Sequence, residues 1–72
     1  MYKWKLKFIL KSGKELTAYY NGTEASSFEV VEKILLVGVG DNNTFNSFSN
    51  KDKTENIFVK IGEIASVSIS AA

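Results

Sequence analysis

Residues 2 to 11 alternate between apolar and polar positions, and this alternation constrains the fold more than any other feature of the sequence. A period of two sends successive side chains to opposite faces of a β-strand. Lysine occupies four of the five positions on one face. The other face is apolar and consists of Tyr2, Trp4, Leu6, Phe8 and Leu10. The pattern therefore predicts a strand with one buried face and one face in water.

A turn signal at Ser12-Gly13 leads into a second strand, residues 14 to 20, and the two faces indicate how the strands pair. A two-residue loop would pair Leu10 with Glu15 and mix apolar with charged faces. A three-residue loop, residues 11 to 13, with Gly13 in the left-handed bulge position keeps the faces separate. We therefore expect a β-hairpin with the pairs Trp4 and Tyr20, Leu6 and Ala18, and Phe8 and Leu16.

The middle of the sequence predicts a helix over residues 25 to 37. Ser26-Ser27-Phe28-Glu29 has the form of a capping box, in which the first and last side chains satisfy backbone amides at the helix start. Gly38 stands where a glycine commonly ends a helix. The apolar stripe of this helix is expected to consist of Val30, Val31, Ile34 and Leu35, with Phe28 at its margin.

Three short strands are predicted after the helix. Residues 44 to 49 are polar enough to lie at a sheet edge, and residues 56 to 61 place Ile57, Val59 and Ile61 on one face. After a brief turn, Ala65, Val67 and Ile69 alternate with serines. The order ββαβββ predicts a single α+β domain over residues 1 to 72. We expect a small antiparallel sheet of four to five strands with one helix packed on one face.

Length and composition limit how this chain can be stabilised and which functional groups it can use. A chain of 72 residues has room for one core. It contains no cysteine for disulfides and no histidine, which is the commonest metal ligand and general base. No apolar run approaches the roughly 18 residues of a membrane span, and charges interrupt the first residues, where a secretory signal would be apolar. The sequence therefore predicts a soluble, cytoplasmic protein.

Three sequence features that could suggest a nucleotide site, a calcium site or a catalytic carboxylate pair have simpler structural explanations. Gly38-Val39-Gly40 follows a helix and lacks the lysine of a phosphate-binding loop, so it indicates a helix end. Asp41-Asn42-Asn43-Thr44 lacks the ligand spacing of a calcium loop and indicates a polar turn. The glutamates are expected on outer faces and in turns, where they would not converge as an acid and base pair. We therefore expect no enzyme activity, no metal and no cofactor.

The charge of the chain is unevenly distributed. The formal net charge is +1, but residues 1 to 14 carry five lysines and no acid, whereas residues 15 to 72 carry four lysines and eight acids. All nine cations are lysine. Because arginine is the usual residue for bidentate contacts to phosphate and guanine, its absence argues against sequence-specific readout of nucleic acid.

The outer face of the hairpin is the one surface where basic and aromatic side chains are expected to interleave. The hairpin register sets Tyr19 opposite Lys5, with Lys3 and Lys7 on either side. Lysines can neutralise phosphates while a tyrosine stacks on a base, as in sheet-based single-strand binders. Lysines on the solvent face of a strand also prevent edge-to-edge aggregation without binding anything. Both interpretations apply to Lys3, Lys5, Lys7 and Tyr19.

The chain also has more apolar side chains than one thin helix can cover. Burial of a large side chain contributes on the order of 2 kcal/mol, so a second copy that covers leftover surface would stabilise a small domain. We therefore favour a non-enzymatic interaction or structural module that presents its sheet, or an edge, to a protein partner or to itself as a homodimer. The alternative is a weak, sequence-tolerant nucleic-acid binder. Neither a membrane nor a small-molecule substrate is inferred.

Three segments give the chain a resemblance to known proteins. They are Lys3-Trp4-Lys5-Leu6, Ser12-Gly13-Lys14-Glu15 and the segment Asn56-Ile57-Phe58-Val59-Lys60-Ile61-Gly62-Glu63-Ile64-Ala65-Ser66-Val67. In these segments the chain resembles small uncharacterised proteins of low-GC Gram-positive bacteria and their prophages. The segments correspond to strands and turns. The resemblance therefore implies a bacterial or prophage origin and transfers no functional residue.

Overall fold

The computed structural model describes residues 1–35 and 45–72, and it has the predicted α+β architecture. The element order is that expected from the sequence, and the five strands form one antiparallel sheet. The elements are β1 (Tyr2–Leu10), β2 (Glu15–Gly22), α1 (Ser27–Val30) continued by a π-helical turn (Val31–Leu35), β3 (Phe45–Ser49), β4 (Asn56–Lys60), a 3₁₀ turn (Ile61–Glu63) and β5 (Ile64–Ala71).

The first hairpin has the predicted register. Trp4 pairs with Tyr20, Leu6 with Ala18 and Phe8 with Leu16. The loop is closed by a hydrogen bond from the Leu10 amide to the Lys14 carbonyl, 2.9 Å long. Gly13 has a φ of 89°, in the left-handed region that glycine adopts without a steric penalty. The separation of apolar and charged faces was therefore sufficient to identify the loop length.

The helix begins with the predicted capping box. The Glu29 amide donates to Ser26 Oγ at 3.3 Å, and the Ala25 amide donates to Glu29 Oε2 at 3.0 Å, one residue further upstream than expected. Val30 is fully buried, whereas Phe28 is 80% exposed and lies outside the apolar stripe. The predicted helix end at Gly38 lies outside the described residues. Within the described part of the chain, no helix combines the length and hydropathy needed to cross a membrane.

The prediction that residues 44 to 49 form an edge strand is wrong. The strand order is β4-β3-β2-β1-β5, so β3 is interior and the edges are β4 and β5. Ser47 and Ser49 alternate with Phe48, which is buried, and so they occupy the uncovered face of the sheet, whereas Asn46 lies on the same face as Phe48. One residue pair, Tyr19 with Ser49, joins β2 to β3 in the described ladder. Polarity along β3 reflects this open face and not a position at the edge.

The sheet is strongly curled. β4 and β5 lie at opposite edges, yet only the three-residue turn Ile61–Glu63 joins them. Five flat strands would span about 19 Å between the edge strands, whereas the chain from Lys60 to Ile64 reaches at most about 14 Å. The Lys11 amide donates to the Glu63 carbonyl at 2.8 Å and fastens this turn to the first hairpin. The sheet therefore has a concave face and a convex face.

The core lies on the concave face, under the helix. The aromatic rings of Phe8 and Phe48 meet there with centroids 5.4 Å apart, and Tyr20 contacts Phe48 edge-on at 6.4 Å. Side chains from four strands and the helix take part, so the core fixes the curl of the sheet. Its buried members, each at most 4% exposed, are Leu6, Phe8, Ala18, Val30, Phe48 and Val59.

A buried polar group lies beside this core, contrary to expectation for a glutamate. Glu24 is 6% exposed, although the sequence predicts its side chain in a turn or on an outer face. Trp4 Nε1 donates to the Glu24 carbonyl at 3.0 Å and holds the chain after β2 against β1. A side chain at Gly22 would collide with the Tyr20 hydroxyl and with Glu24 Oε2. Glycine at this position is what allows the carboxylate and the tyrosine to meet.

Deprotonation of Tyr20 is expected to destabilise the fold at high pH. Burial, then a hydrogen bond with Glu24, then the charge of Glu24 raise the pKa of Tyr20 from 10.0 to about 12. Because the folded state holds this proton more tightly than the unfolded chain, the stabilisation is complete below pH 10.0 and is lost as the pH rises through about 12. Urea denaturation should show a steeper loss of unfolding free energy over this range for the wild type than for Tyr20→Phe. An equal pH dependence of the unfolding free energy in the two proteins would contradict the raised pKa of Tyr20.

Candidate functional site

The four residues predicted as a binding surface lie together on the convex face. Lys3, Lys5 and Lys7 follow one another along β1, and Tyr19 of β2 pairs directly with Lys5. The three lysine side chains are exposed and the tyrosine is half-buried. They converge because alternate residues share a face and the hairpin register aligns them. Whether they bind a ligand stays a prediction.

One of these lysines has a partner. Lys7 Nζ lies 3.5 Å from Glu15 Oε1, and both side chains are more than half exposed. An ion pair in such contact with water contributes little stability, so an incoming anion can replace the carboxylate. Among the described strand residues, Glu15 is the one carboxylate on the convex face. The positive charge of this face is therefore densest around Lys3 and Lys5.

The loop between β3 and β4 brings two further lysines to Tyr19. Asn50 organises this loop: its Oδ1 atom accepts from the amides of Thr54 at 2.9 Å and Glu55 at 3.2 Å. The Lys53 amide donates to the Asn50 carbonyl at 3.1 Å, and Lys53 has a φ of 59°. A left-handed backbone is unusual for lysine and is maintained here by the hydrogen bonds around it. The loop therefore holds Lys51 and Lys53 in a defined position.

A cleft of about 230 Å³ lies between this loop and the hairpin. We call it the Tyr19 cleft. Three lysines line it, and among the described residues no side-chain carboxylate does. A second hollow of about 320 Å³ continues past Tyr19 between β2 and β3, where the two strands separate beyond their single pair. The polar and aromatic side chains of the Tyr19 cleft include Lys3, Tyr19, Asn21, Asn50, Lys51 and Lys53.

Two exposed phenylalanines extend the aromatic character of the convex face. Phe58 is 64% exposed on β4 and Phe45 is 57% exposed on β3. Phe45 pairs with Lys60, and Phe58 pairs with Ser47, so the two rings are diagonal neighbours across adjacent strands. The exposure of the two rings was not predicted from the sequence, although their alternation with Val59 and Phe48 was the available signal. Apolar rings on an open face have no role in the core.

Acidic and basic side chains are unevenly distributed over the described helix and strands. The helix side contains Glu29 in the capping box, with Glu32 exposed on the following turn. The convex face contains Lys3, Lys5 and Lys7 with one compensating carboxylate. The strands of the convex face are therefore basic, whereas the β3–β4 loop balances Lys51 and Lys53 with Asp52 and Glu55.

Metal and nucleotide motifs from the sequence receive no support from the described residues. No three acidic side chains among residues 1–35 and 45–72 lie close enough to hold a metal ion. The segment Asp41-Asn42-Asn43-Thr44 and the glycines at 38 and 40 lie outside the described residues. The polar and aromatic side chains around Tyr19 are lysines, amides and an aromatic ring, groups that can contact phosphates and stack on aromatic molecules.

Comparison with known proteins adds no functional information. The resemblance to small prophage-type proteins accordingly stays a prediction. No protein-family model, no curated protein and no solved structure matches this chain.

Proposed function

We propose that the protein is a binding module that holds single-stranded nucleic acid on its convex face, with little preference for sequence. The observation that carries this proposal is the combination of exposed aromatic rings with lysines on one uncovered sheet face. Lys5 and Tyr19 form a direct cross-strand pair, and Phe58 is 64% exposed on the same face. This function was the alternative in the sequence analysis, and the two exposed phenylalanines make it the stronger one.

The lysines supply an attraction that does not depend on base sequence. Lys3, Lys51 and Lys53 surround the Tyr19 cleft, where a phosphate would meet three ammonium groups and no carboxylate side chain among the described lining residues. Lys5 extends this charge along β1. Contacts of this kind neutralise the nucleic-acid backbone and release counterions, which makes the affinity depend on salt.

The aromatic rings select a single strand over a duplex. In a duplex the base faces are stacked on one another, whereas a single strand can lay its bases on protein rings. Stacking of one base on an aromatic side chain contributes about 1–3 kcal/mol and tolerates every base. Tyr19 and Phe58 are separated by β3, so one extended strand can contact both. The absence of arginine is consistent with weak sequence discrimination.

The simplest alternative is that the convex face is a solvent-exposed surface that binds no ligand. Lysines on β1 would fit that interpretation, because charged side chains keep sheets from associating. Phe45 and Phe58 do not fit it, because a solvated face gains nothing from two neighbouring phenylalanines at 57% and 64% exposure. A protein partner is the remaining candidate for this face, and the experiment below distinguishes it from nucleic acid.

Removal of the two rings is expected to weaken binding of a single strand. Fluorescence anisotropy with a labelled oligothymidine should show that Tyr19→Ala and Phe58→Ala each lose about 1–3 kcal/mol of binding free energy, because each loses one stacked base. Tyr2→Ala is the matched control, since Tyr2 is 52% exposed on the opposite face of β1.

Three results would contradict the proposal. The first is no binding of the oligonucleotide at low salt, which would leave a protein partner as the occupant. The second is equal affinity for a duplex and a single strand of the same length. The third is equal loss of affinity in Tyr2→Ala and Phe58→Ala. Circular dichroism of each variant establishes that the fold is retained.

A further inference from the structure

We propose that the protein forms a homodimer by antiparallel pairing of β5 with β5 of a second copy, around a two-fold axis near the middle of the strand. This proposal is independent of nucleic-acid binding, because β5 contributes its edge and not the convex face to the contact. It rests on the hydrogen-bonding groups, the charge and the side-chain pattern of this edge.

Among the described residues, the backbone of β5 has an open edge. Its described ladder partner is β1 alone, and the Ala72 amide donates to the Lys3 carbonyl at 3.0 Å. Because amides alternate in direction along a strand, this bond implies that residues 70 and 68 also point toward β1. The amides and carbonyls of Val67, Ile69 and Ala71 then point to the opposite side, where no described strand meets them. These amides and carbonyls can therefore form backbone hydrogen bonds with another strand.

The charge of β5 is suited to pairing with a copy of itself. Residues 64 to 72 contain no charged side chain, whereas β1 contains three lysines and the other edge strand, β4, ends in Lys60. A two-fold axis brings each residue close to its own copy or to a near neighbour in sequence. A charge near the middle of β5 would therefore meet a like charge in the dimer. Edge strands normally carry lysine or proline against such contacts, and β5 has neither.

The side chains of β5 match under the same symmetry. Ser66, Ser68 and Ser70 lie on the convex face, while Val67 and Ile69 pack toward the core. Antiparallel pairing about a two-fold axis perpendicular to the sheet keeps the convex faces of both copies on one side. Serine would therefore adjoin serine, and the apolar residues would adjoin one another.

An apolar cleft next to this edge supports the same contact. The cleft has a volume of about 160 Å³ and is lined by Phe28 and Val31 of the helical segment and by Val67 and Ile69 of β5. Phe28 is 80% exposed, although it belongs to a helix that packs on the core. In the two-fold dimer both clefts lie on the concave side and flank the axis. A second copy would cover apolar surface that the monomer leaves in water.

Charge substitutions at Ser68 test the proposed interface. Ser68 is exposed on the convex face near the middle of β5, so a longer side chain there leaves the core intact. Sedimentation velocity over a range of concentrations should show a dimer for the wild type. Ser68→Lys and Ser68→Glu should each raise the dimer dissociation constant about tenfold through like-charge repulsion, and an equimolar mixture should recover the dimer. Thr17→Lys and Thr17→Glu, on interior strand β2, should behave as the wild type.

Amide hydrogen exchange provides a second, residue-specific measurement. The amides of Val67 and Ile69 should become protected as the protein concentration rises, whereas those of Ser68 and Ser70 should be protected at every concentration. A wild type that stays monomeric at millimolar concentration would overturn the proposal. So would a dimer in which the Ser68 variants associate as strongly as the wild type, or in which protection at Val67 and Ile69 does not depend on concentration.

Discussion

Phe8→Ala is expected to lower the free energy of unfolding by about 3–5 kcal/mol, a large part of the stability of so small a domain. Phe8 is completely buried, and its ring lies 5.4 Å from that of Phe48 at the centre of the core. Truncation of a buried phenylalanine to alanine costs about 3–5 kcal/mol, because apolar contacts are lost and a cavity remains. A domain of 72 residues has a total stability of roughly 4–11 kcal/mol at the usual value per residue. One substitution can therefore remove most of the stability.

The matched control is Phe58→Ala, which makes the same chemical change on the convex face. Phe58 is 64% exposed and is not a member of the core cluster, so the loss of unfolding free energy should stay within about 0.5 kcal/mol. Urea denaturation monitored by the fluorescence of Trp4 compares the two variants directly. A destabilisation of similar size in both would mean that Phe58 is a packing residue, and it would then lose its proposed role in stacking.

The contrast between these two phenylalanines illustrates what the sequence could predict. Within the hairpin, strict alternation and a glycine turn identified both faces and the register, and Phe8 was correctly assigned to the apolar side. These signals are local, because they depend on residues separated by one turn. The capping box at Ser26 was predictable for the same reason. The register of the hairpin also explains why Lys5 and Tyr19 were recognised as neighbours.

Contacts between distant parts of the chain were not predictable in this way. The polarity of β3 suggested an edge, but its position depends on β4, which pairs with its other side. The burial of Glu24 depends on a chain reversal after Gly22 that brings its carbonyl to the Trp4 indole. The curl of the sheet follows from the short connection between β4 and β5 together with the strand order. None of these features has a periodic signal in the sequence.

The candidate site depends both on local sequence signals and on contacts between distant parts of the chain. Lys3, Lys5 and Tyr19 were identified from the hairpin alone. Lys51 and Lys53 were interpreted as part of a solvated connection, because nothing in their local sequence relates them to β1. They line the Tyr19 cleft because Asn50 folds their loop and because β3 pairs with β2 at Tyr19. Two of the three lysines that line the Tyr19 cleft are thus brought there by tertiary structure.

Neutralisation of the three cleft lysines is expected to abolish most of the salt-dependent binding. The variant Lys3→Gln, Lys51→Gln, Lys53→Gln keeps polar side chains but removes the positive charges that line the Tyr19 cleft. For single strands each phosphate contact contributes about −0.7 to the slope of log K against log salt concentration, so the slope should change by about 2 and low-salt affinity should fall about a hundredfold. Anisotropy titrations of the oligonucleotide at several salt concentrations measure both quantities.

A second triple variant separates the position of the charges from their number. Lys11→Gln, Lys14→Gln, Lys33→Gln also takes the formal charge from +1 to −2, but these lysines lie in the hairpin turn and on the helical segment. If the cleft holds the phosphates, this variant should keep the wild-type slope and most of the affinity, since distant exposed charges are screened by salt. Equal losses in the two variants would show that net charge alone attracts the nucleic acid. The Tyr19 cleft would then be an ordinary solvated surface, and the exposed rings of Phe45 and Phe58 would have to be explained by a protein partner.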